Sequence, residues 1–360
     1  MNIKVTQRPQ KNPRMIRGRG AAENPPNRFE AIHLLPENQE SADSRPATKF
    51  IHDNSTSVIT RNDSPNICFE DSLNPYRGCE HGCIYCYARP THEHLGFSAG
   101  LDFETRILVK HDAPALLRRE LMSPEWRPQL IAMCGVTDPY KPVERDLELT
   151  RRCRRVLSEF RNPVAVVTKT HLVTRDSELL AELATDGAAA VNLLITSCDP
   201  SLQQLMEYRA STPEKRLAAV EELSRKGIPV GIMVAPIIPG LTDHEIPSIL
   251  RAAADAGVTQ ATCIFLRRPH GVEDLSSDWL IKHFPYRKDR VLNRVRDGRD
   301  GNLYDSPFHT RLEEQVIYAG HIHDLFEKTC RSTGLSRKRI ELSAAAFNCS
   351  GRGRQKVLFE

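Results

Sequence analysis

Three cysteines lie within eight residues of one another, spaced C-x3-C-x2-C. Gly78 precedes the first thiol and Gly82 the second, and glycine permits tight backbone turns and close approaches that other residues do not. Thiolates are soft ligands that select zinc, copper(I) or iron–sulfur clusters. The spacing therefore predicts a metal centre held by Cys79, Cys83 and Cys86.

The number of local thiols bears on the kind of centre. Iron–sulfur clusters usually take four cysteines, and structural zinc also takes four ligands, commonly as two C-x2-C pairs. The chain has no second C-x2-C pair. A cubane on three thiolates leaves one iron open to a small molecule, which suits catalysis. The alternative is a zinc ion whose ligands are completed by Cys68, His81, His92 or His94.

A longer stretch around the thiols carries a family resemblance. Residues 74–104 read NPYRGCEHGCIYCYARPTHEHLGFSAGLDFE. Their C-x3-C-x-Tyr-C pattern resembles the signature of the radical SAM enzymes, and the whole string is similar to the branch related to spore photoproduct lyase. The resemblance implies a [4Fe–4S] cluster and S-adenosylmethionine (SAM) as cofactors, a partial (β/α)6 TIM-like barrel as the fold, and cofactor contact by Tyr85.

The hydrophobic pattern independently indicates an α/β fold. Short apolar runs alternate with helical patterns, which is typical of a parallel sheet covered by helices. The predicted strands are residues 67–73, 130–136, 163–168, 188–196, 228–237 and 261–266. The predicted helices between them are residues 113–123, 146–160, 177–186, 212–226 and 244–256. Six such strands favour an open or partial barrel.

Four regions follow from these patterns. Residues 1–50 are predicted to be a disordered basic tail, residues 51–270 the barrel core, and residues 346–360 a basic C-terminal tail. Residues 271–345 are predicted to form a helical extension that closes the open side or covers the site, with helices over residues 278–284, 288–297 and 313–334.

Chemistry in such barrels lies at the carboxyl ends of the strands. By resemblance, Thr137 and Asp138 after the second strand are expected to bind the amino group of SAM, because both accept hydrogen bonds from an ammonium. Lys169 after the third strand is expected to contact the carboxylate or ribose of SAM. Glu144 is expected to contact cofactor or substrate, or to cap the next helix.

Further polar and apolar residues follow the later strands. Thr196 and Ser197 are expected to contribute polar cofactor contacts, and Arg209 to bind the SAM carboxylate through its planar guanidinium. Pro236 lies in an apolar turn that suits an adenine face. Cys134 is either a buried core thiol or, by resemblance, a hydrogen donor near the barrel mouth.

Composition and charge restrict the cellular setting. The chain has no apolar run of membrane-spanning length and no signal-peptide core, so we expect a cytoplasmic protein with reduced cysteines.

The net charge is +4. Basic residues at both ends either contact nucleic-acid phosphates or serve solubility; they are Lys4, Arg8, Lys11, Arg14, Arg17, Arg19, Arg337, Lys338, Arg339, Arg352, Arg354 and Lys356.

The resemblance implies a reaction as well as a fold. A reduced cluster cleaves SAM to methionine and a 5′-deoxyadenosyl radical, which removes a hydrogen from substrate, and flavodoxin or ferredoxin is the expected electron donor. Three hypotheses for function stay open. They are a repair lyase acting on a DNA lesion, a radical enzyme acting on RNA, a peptide or a small molecule, and a non-catalytic metal-binding nucleic-acid module.

Overall fold

A computed structural model of the chain describes residue 16 and residues 18–30, 46–62, 69–297 and 317–349. The strands are β1 Lys49–His52, β2 Ile59–Arg61, β3 Asp71–Leu73, β4 Tyr76–Arg77, β5 Arg106–Val109, β6 Ile131–Met133, β7 Val164–Thr168, β8 Ala189–Ile195, β9 Val230–Ile237 and β10 Gln260–Phe265. The α-helices are α1 Leu101–Thr105, α2 Ala113–Met122, α3 Glu144–Leu147, α4 Leu149–Phe160, α5 Ser177–Thr185, α6 Pro200–Met206, α7 Pro213–Arg225, α8 Ile246–Asp255, α9 Val272–His283, α10 Pro285–Asp297 and α11 Ile317–Thr333.

Seven strands form the main sheet, in the order β10-β9-β8-β7-β6-β3-β2. The first six pair in parallel, and β2 is an antiparallel edge strand beside β3. The parallel strands are the six predicted from the sequence, except that residues 67 and 68 of the first prediction lie outside the described residues. The strand order runs in one line from β10 to β3 without closing, as an open barrel requires. The prediction of a partial (β/α)6 barrel is confirmed.

The helices between the strands pack their apolar sides on the sheet. Leu157 of α4, Leu180 of α5 and Val220 of α7 belong to one buried cluster with the strand residues. The predicted helix over residues 146–160 is divided into α3 and α4 because Glu148 adopts a left-handed conformation with φ of 49°. At the start of α7, the Thr212 hydroxyl accepts a hydrogen bond from Lys215 N at 3.4 Å, as an N-cap does.

A second, small sheet was not predicted. Its order is β1-β5-β4, with β1 parallel and β4 antiparallel to β5. The signal was weak because β4 has only two residues and β5 continues directly from α1. This sheet lies beside the cysteine loop in the chain, since the loop leaves β4 and the chain returns through β5.

Part of the predicted disordered tail is packed instead. Residues 1–15, 17 and 31–45 lie outside the described residues, but Arg19 and Ala21 are buried. The Glu104 carboxylate accepts hydrogen bonds from Gly20 N at 2.9 Å and Ala21 N at 2.8 Å. Arg19 donates to Glu104 O at 2.8 Å. This arginine is therefore committed to the fold and is not free for phosphate.

The C-terminal helices complete the structure. Trp279 and Leu280 of α9 and Val291 of α10 pack in one buried cluster with Ile84 and Tyr85 of the cysteine loop. Helix α11 packs against α8. Of the predicted C-terminal tail, residues 346–349 are described, and Asn348 N donates to Phe160 O at 2.9 Å. No helix within the described ranges combines the length and apolar character needed to span a bilayer.

Candidate cofactor site

The three-thiol loop begins directly after β4, at the carboxyl edge of the main sheet. Cys79 and Cys83 are buried, Cys86 is partly buried, and all three are free thiols. Gly82 has φ of 69°, and a Cβ placed on it would lie 2.8 Å from a carboxylate oxygen of Glu104. The loop therefore needs glycine here for both its turn and its packing.

The electrostatics of the loop fit a cluster bound through thiolates. Cys86 packs against one apolar cluster that contains Cys83 and another that contains Cys79. Burial raises the pKa of Cys83 most, Glu207 raises it further, and Lys169 opposes this shift. The pKa of Cys79 is nevertheless lowered. Burial opposes this shift, but His81, which hydrogen-bonds the thiol, and the buried cation of Lys141 outweigh it. A positive environment favours the thiolate form that metal binding requires.

The zinc alternative would need a fourth donor beside the three thiols. Within the described ranges, no three His, Cys, Asp or Glu side chains converge on a point where one metal ion could sit. His92 is buried, with Nε2 2.9 Å from Arg106 O, and Cys68 lies outside the described residues.

A buried carboxylate joins the loop to the strand ends. The side chain of Glu207, which directly follows α6, is completely buried. Its Oε1 accepts hydrogen bonds from Lys169 Nζ at 3.0 Å and Thr196 Oγ1 at 2.8 Å, and also from the Tyr85 hydroxyl. Arg216 donates to the other oxygen. Three predicted site residues, Tyr85, Lys169 and Thr196, therefore contact one carboxylate, that of Glu207, to which the sequence analysis assigned no role.

The charge balance at this carboxylate is favourable. Burial alone would raise the pKa of Glu207, but Arg216 and Lys169 hold it well below its ordinary range. Lys169 also donates to Ala235 O at 3.2 Å, next to Pro236, which follows a cis peptide bond. The group thus connects the ends of β7, β8 and β9 with the cysteine loop.

Asp138 and Thr137 lie where the sequence predicted, after β6. Asp138 accepts from Thr168 Oγ1 and Lys169 N, both at 2.8 Å, and its Oδ2 lies 3.5 Å from His81 Nδ1. Thr137 Oγ1 donates to Gly78 O at 2.7 Å. Asp138 therefore links His81 of the loop to the end of β7, and Thr137 joins Gly78 of the loop to the end of β6. Direct contact of either residue with SAM stays a prediction.

Arg209 lies at the rim of the loop. Its Nη1 donates to Glu80 Oε1 at 3.2 Å, its backbone N donates to His81 O at 3.1 Å, and its side chain is 37% exposed. The guanidinium is held toward the loop while part of it remains open to a ligand. This position is compatible with the predicted contact to a carboxylate.

Two further predicted site residues, Glu144 and Ser197, are buried and hydrogen-bonded to neighbouring elements. Glu144 is buried and accepts from Tyr76 at 2.5 Å, from Thr150 N at 3.0 Å and from Arg175 at 2.8 Å. The bond from Thr150 N, at the start of α4, fits the helix-capping alternative, and the contact with cofactor or substrate stays a prediction. Ser197 is also buried, and it donates to Glu245 Oε1 at 2.8 Å. Glu245 directly precedes α8, so the hydroxyl joins the end of β8 to the start of that helix. Its contact with the cofactor stays a prediction.

The residues that sequence reasoning missed are Glu207, His81 and Lys141. His81 stands inside the C-x3-C spacing, which is a local signal, but that signal was interpreted only as a zinc ligand. Lys141 is buried and donates to Gly78 O at 2.5 Å. Glu207 stands two residues before Arg209, yet its four partners named above come from four separate segments, so no local pattern revealed its role.

Comparison with known proteins agrees with this geometry. A family model described as the Radical SAM superfamily matches residues 73–253. An uncharacterized protein of Mycobacterium tuberculosis is 35% identical over 251 residues, which are 69% of this chain and 73% of that protein. An uncharacterized protein of Methanocaldococcus jannaschii is 30% identical over 173 residues, which are 48% of this chain and 62% of that protein.

Solved structures of spore photoproduct lyase share the fold. One variant of that enzyme has a TM-score of 0.58 and 16% identity, covering 84% of this chain and 86% of the other. A second variant, with bound AdoMet and dinucleoside spore photoproduct, has a TM-score of 0.58 and 15% identity, covering 87% and 88%. At these identities the similarity concerns the fold.

Proposed function

Because this chain belongs to the radical SAM superfamily and its cofactors are a [4Fe–4S] cluster and SAM, we propose that Cys79, Cys83 and Cys86 hold that cluster for reductive SAM cleavage. The observation that carries this proposal is the position of three free thiols, two buried and one partly buried, at the carboxyl edge of six parallel strands. When bound, the cluster and SAM supply a one-electron cleavage of the sulfonium, giving methionine and a 5′-deoxyadenosyl radical.

The chain's own residues would bind and orient SAM. Lys169 and Arg209 supply cations for its carboxylate, and Thr137 and Asp138 supply acceptors for its amino group. Pro236 offers an apolar surface to the adenine. The helices α9 and α10, packed on the cysteine loop, restrict water at the loop.

Enzymes of this superfamily need a reductant, and we propose flavodoxin or ferredoxin as the donor. We also propose a cytoplasmic setting. The cysteines of the described ranges are free thiols, and a reducing compartment keeps thiols in that state.

For the substrate, we propose a DNA lesion, with this chain acting as a repair lyase. The support is the fold shared with spore photoproduct lyase, one structure of which holds a dinucleoside spore photoproduct. RNA, a peptide or a small molecule as substrate, and a non-catalytic metal-binding module, are the outcomes that the next experiment separates from this proposal.

We expect anaerobically reconstituted protein to show a brown chromophore and to form 5′-deoxyadenosine from SAM only when dithionite is present. UV-irradiated DNA should then be converted, whereas undamaged DNA should not. The measurement is chromatography of 5′-deoxyadenosine and of DNA digests. SAM cleavage without lesion conversion would point to another substrate, and bound zinc without SAM cleavage would point to the non-catalytic module.

Cys134 is our proposed hydrogen donor for the final step. It follows β6 at the barrel mouth, and burial first, then Asp138, raises its pKa to about 12. The sulfur therefore keeps the hydrogen that it would donate. We expect Cys134→Ala to leave 5′-deoxyadenosine formation without substrate unchanged, while conversion of dinucleoside spore photoproduct falls about tenfold or more because the positioned donor is lost.

Cys198→Ala is the matched control, because it also removes a thiol, which is partly buried. The hydrogen bond that Cys198 donates to Glu245 comes from its backbone N and is kept in the variant. It should convert the dinucleoside at the wild-type rate. Equal conversion by Cys134→Ala and Cys198→Ala would assign Cys134 to the core instead.

A further inference from the structure

An arginine that lacks a polar partner among the described residues stands at the end of β10. Arg267 and Arg268 follow this strand, and neighbouring residues of an extended segment point to opposite sides. Arg268 is buried against α9, where its Nε donates to Ser276 Oγ at 2.8 Å. Arg267 makes no hydrogen bond or ion pair with any described residue, and its Nε is buried without a partner. Such a guanidinium has N–H donors that are available to a ligand.

The Arg267 side chain faces the candidate site. Its Cζ lies 5.3 Å from the ring centroid of Tyr87, the residue after the last loop cysteine. The Tyr87 ring is 50% exposed, so part of it is open to a ligand. The ring thus lies between the last cysteine of the loop and the end of β10.

Arg267 and Tyr87 lie at a different strand end from the proposed SAM contacts. Lys169, Thr196 and Pro236 lie at the ends of β7, β8 and β9. Arg267 instead follows β10, and its partner Tyr87 follows the last cysteine of the loop. The pair of Arg267 and Tyr87 is therefore not occupied by the proposed SAM contacts and is open to the substrate.

We propose that Arg267 and Tyr87 form a nucleotide subsite, in which Arg267 binds a backbone phosphate of a nucleic-acid substrate and Tyr87 stacks on the adjoining base. This inference rests on the proposed function and deepens it. A guanidinium fork matches phosphate oxygens in pairs, and a half-exposed aromatic ring accepts any base by stacking. The cation–π contact between the two side chains fixes the guanidinium over the ring.

The test measures binding of a short fluorescent oligothymidylate to reconstituted protein at constant salt, beside the same oligomer with a neutral methylphosphonate backbone. We expect Arg267→Gln to bind the phosphate oligomer about tenfold more weakly, since a charge-assisted contact is lost. Its binding of the neutral oligomer should match that of wild type. Tyr87→Leu should weaken both oligomers about tenfold through lost stacking.

Arg251→Gln is the control variant, because it removes the same charge from an exposed position on α8. It should bind both oligomers as wild type does, and Arg267→Lys should recover part of the lost binding. Equal binding by Arg267→Gln and wild type would overturn the subsite. So would weaker SAM binding by Arg267→Gln, or competition by poly-glutamate as strong as by unlabelled oligomer.

Formation of 5′-deoxyadenosine without substrate is measured on the same preparations. We expect it to be unchanged in Arg267→Gln, since this residue is not among the proposed SAM contacts. If wild type forms no 5′-deoxyadenosine, the proposed function is contradicted. If wild type forms it but binds the phosphate and neutral oligomers equally well, only the subsite is contradicted.

Discussion

Replacing Cys83 by alanine is expected to abolish dithionite-dependent 5′-deoxyadenosine formation. No neighbouring residue can replace the Cys83 thiol as a ligand. Cys79 and Cys86 are the other two proposed ligands, and His81 is hydrogen-bonded to Cys79. Loss of one ligand should exceed the roughly 10–100-fold effect typical of residues that only orient a ligand. Iron content, the visible spectrum of the reconstituted protein and 5′-deoxyadenosine yield are the measurements.

The control is again Cys198→Ala, which should retain iron and activity. Both variants should fold, since Cys83 lies beside Ile84, Tyr85 and Met206 in an apolar cluster that tolerates a smaller side chain. Full activity of Cys83→Ala in protein with a normal iron content would remove the basis of the proposed function. An inactive Cys198→Ala would show instead that thiol loss acts through folding.

The sheet was accessible to sequence reasoning because its strands are continuous apolar runs. Residues 189–195 and 230–237 have few polar side chains, and this composition by itself indicates burial on both faces. The small sheet of β1, β4 and β5 was not accessible, because short strands that pair with distant segments leave no periodic pattern. The packed residues 18–21 were missed for a similar reason, since their order depends on Glu104, more than eighty residues away in the chain.

The candidate site shows the same division. The three cysteines were evident from spacing alone, and Lys169 and Thr196 followed from the rule that barrel chemistry lies at strand ends. Glu144 and Ser197 also satisfy that rule, but their hydrogen bonds turn them toward helix ends. Sequence position fixes where a residue stands along a strand. Tertiary packing determines which partner its side chain contacts.

Glu207→Ala is expected to destabilise the protein by about 3–5 kcal/mol, because it leaves buried cations without their counter-charge. Arg216 is fully buried and Lys169 nearly so, and both donate to this carboxylate. The urea midpoint of the full chain, measured anaerobically, is the readout. The variant should also bind SAM more weakly, since Lys169 and Tyr85 lose the group that positions them.

Glu221→Ala provides the matched control, since Glu221 is an exposed carboxylate that forms an i,i+4 ion pair with Arg225. Its urea midpoint should shift little, because exposed pairs contribute between roughly zero and 1 kcal/mol. Glu207→Gln keeps the size of the side chain but not its charge, so its midpoint should fall between those of wild type and Glu207→Ala. If Glu207→Ala and Glu221→Ala unfold at the same urea concentration, the buried carboxylate does not hold the cysteine loop to the strand ends, and another contact must do so.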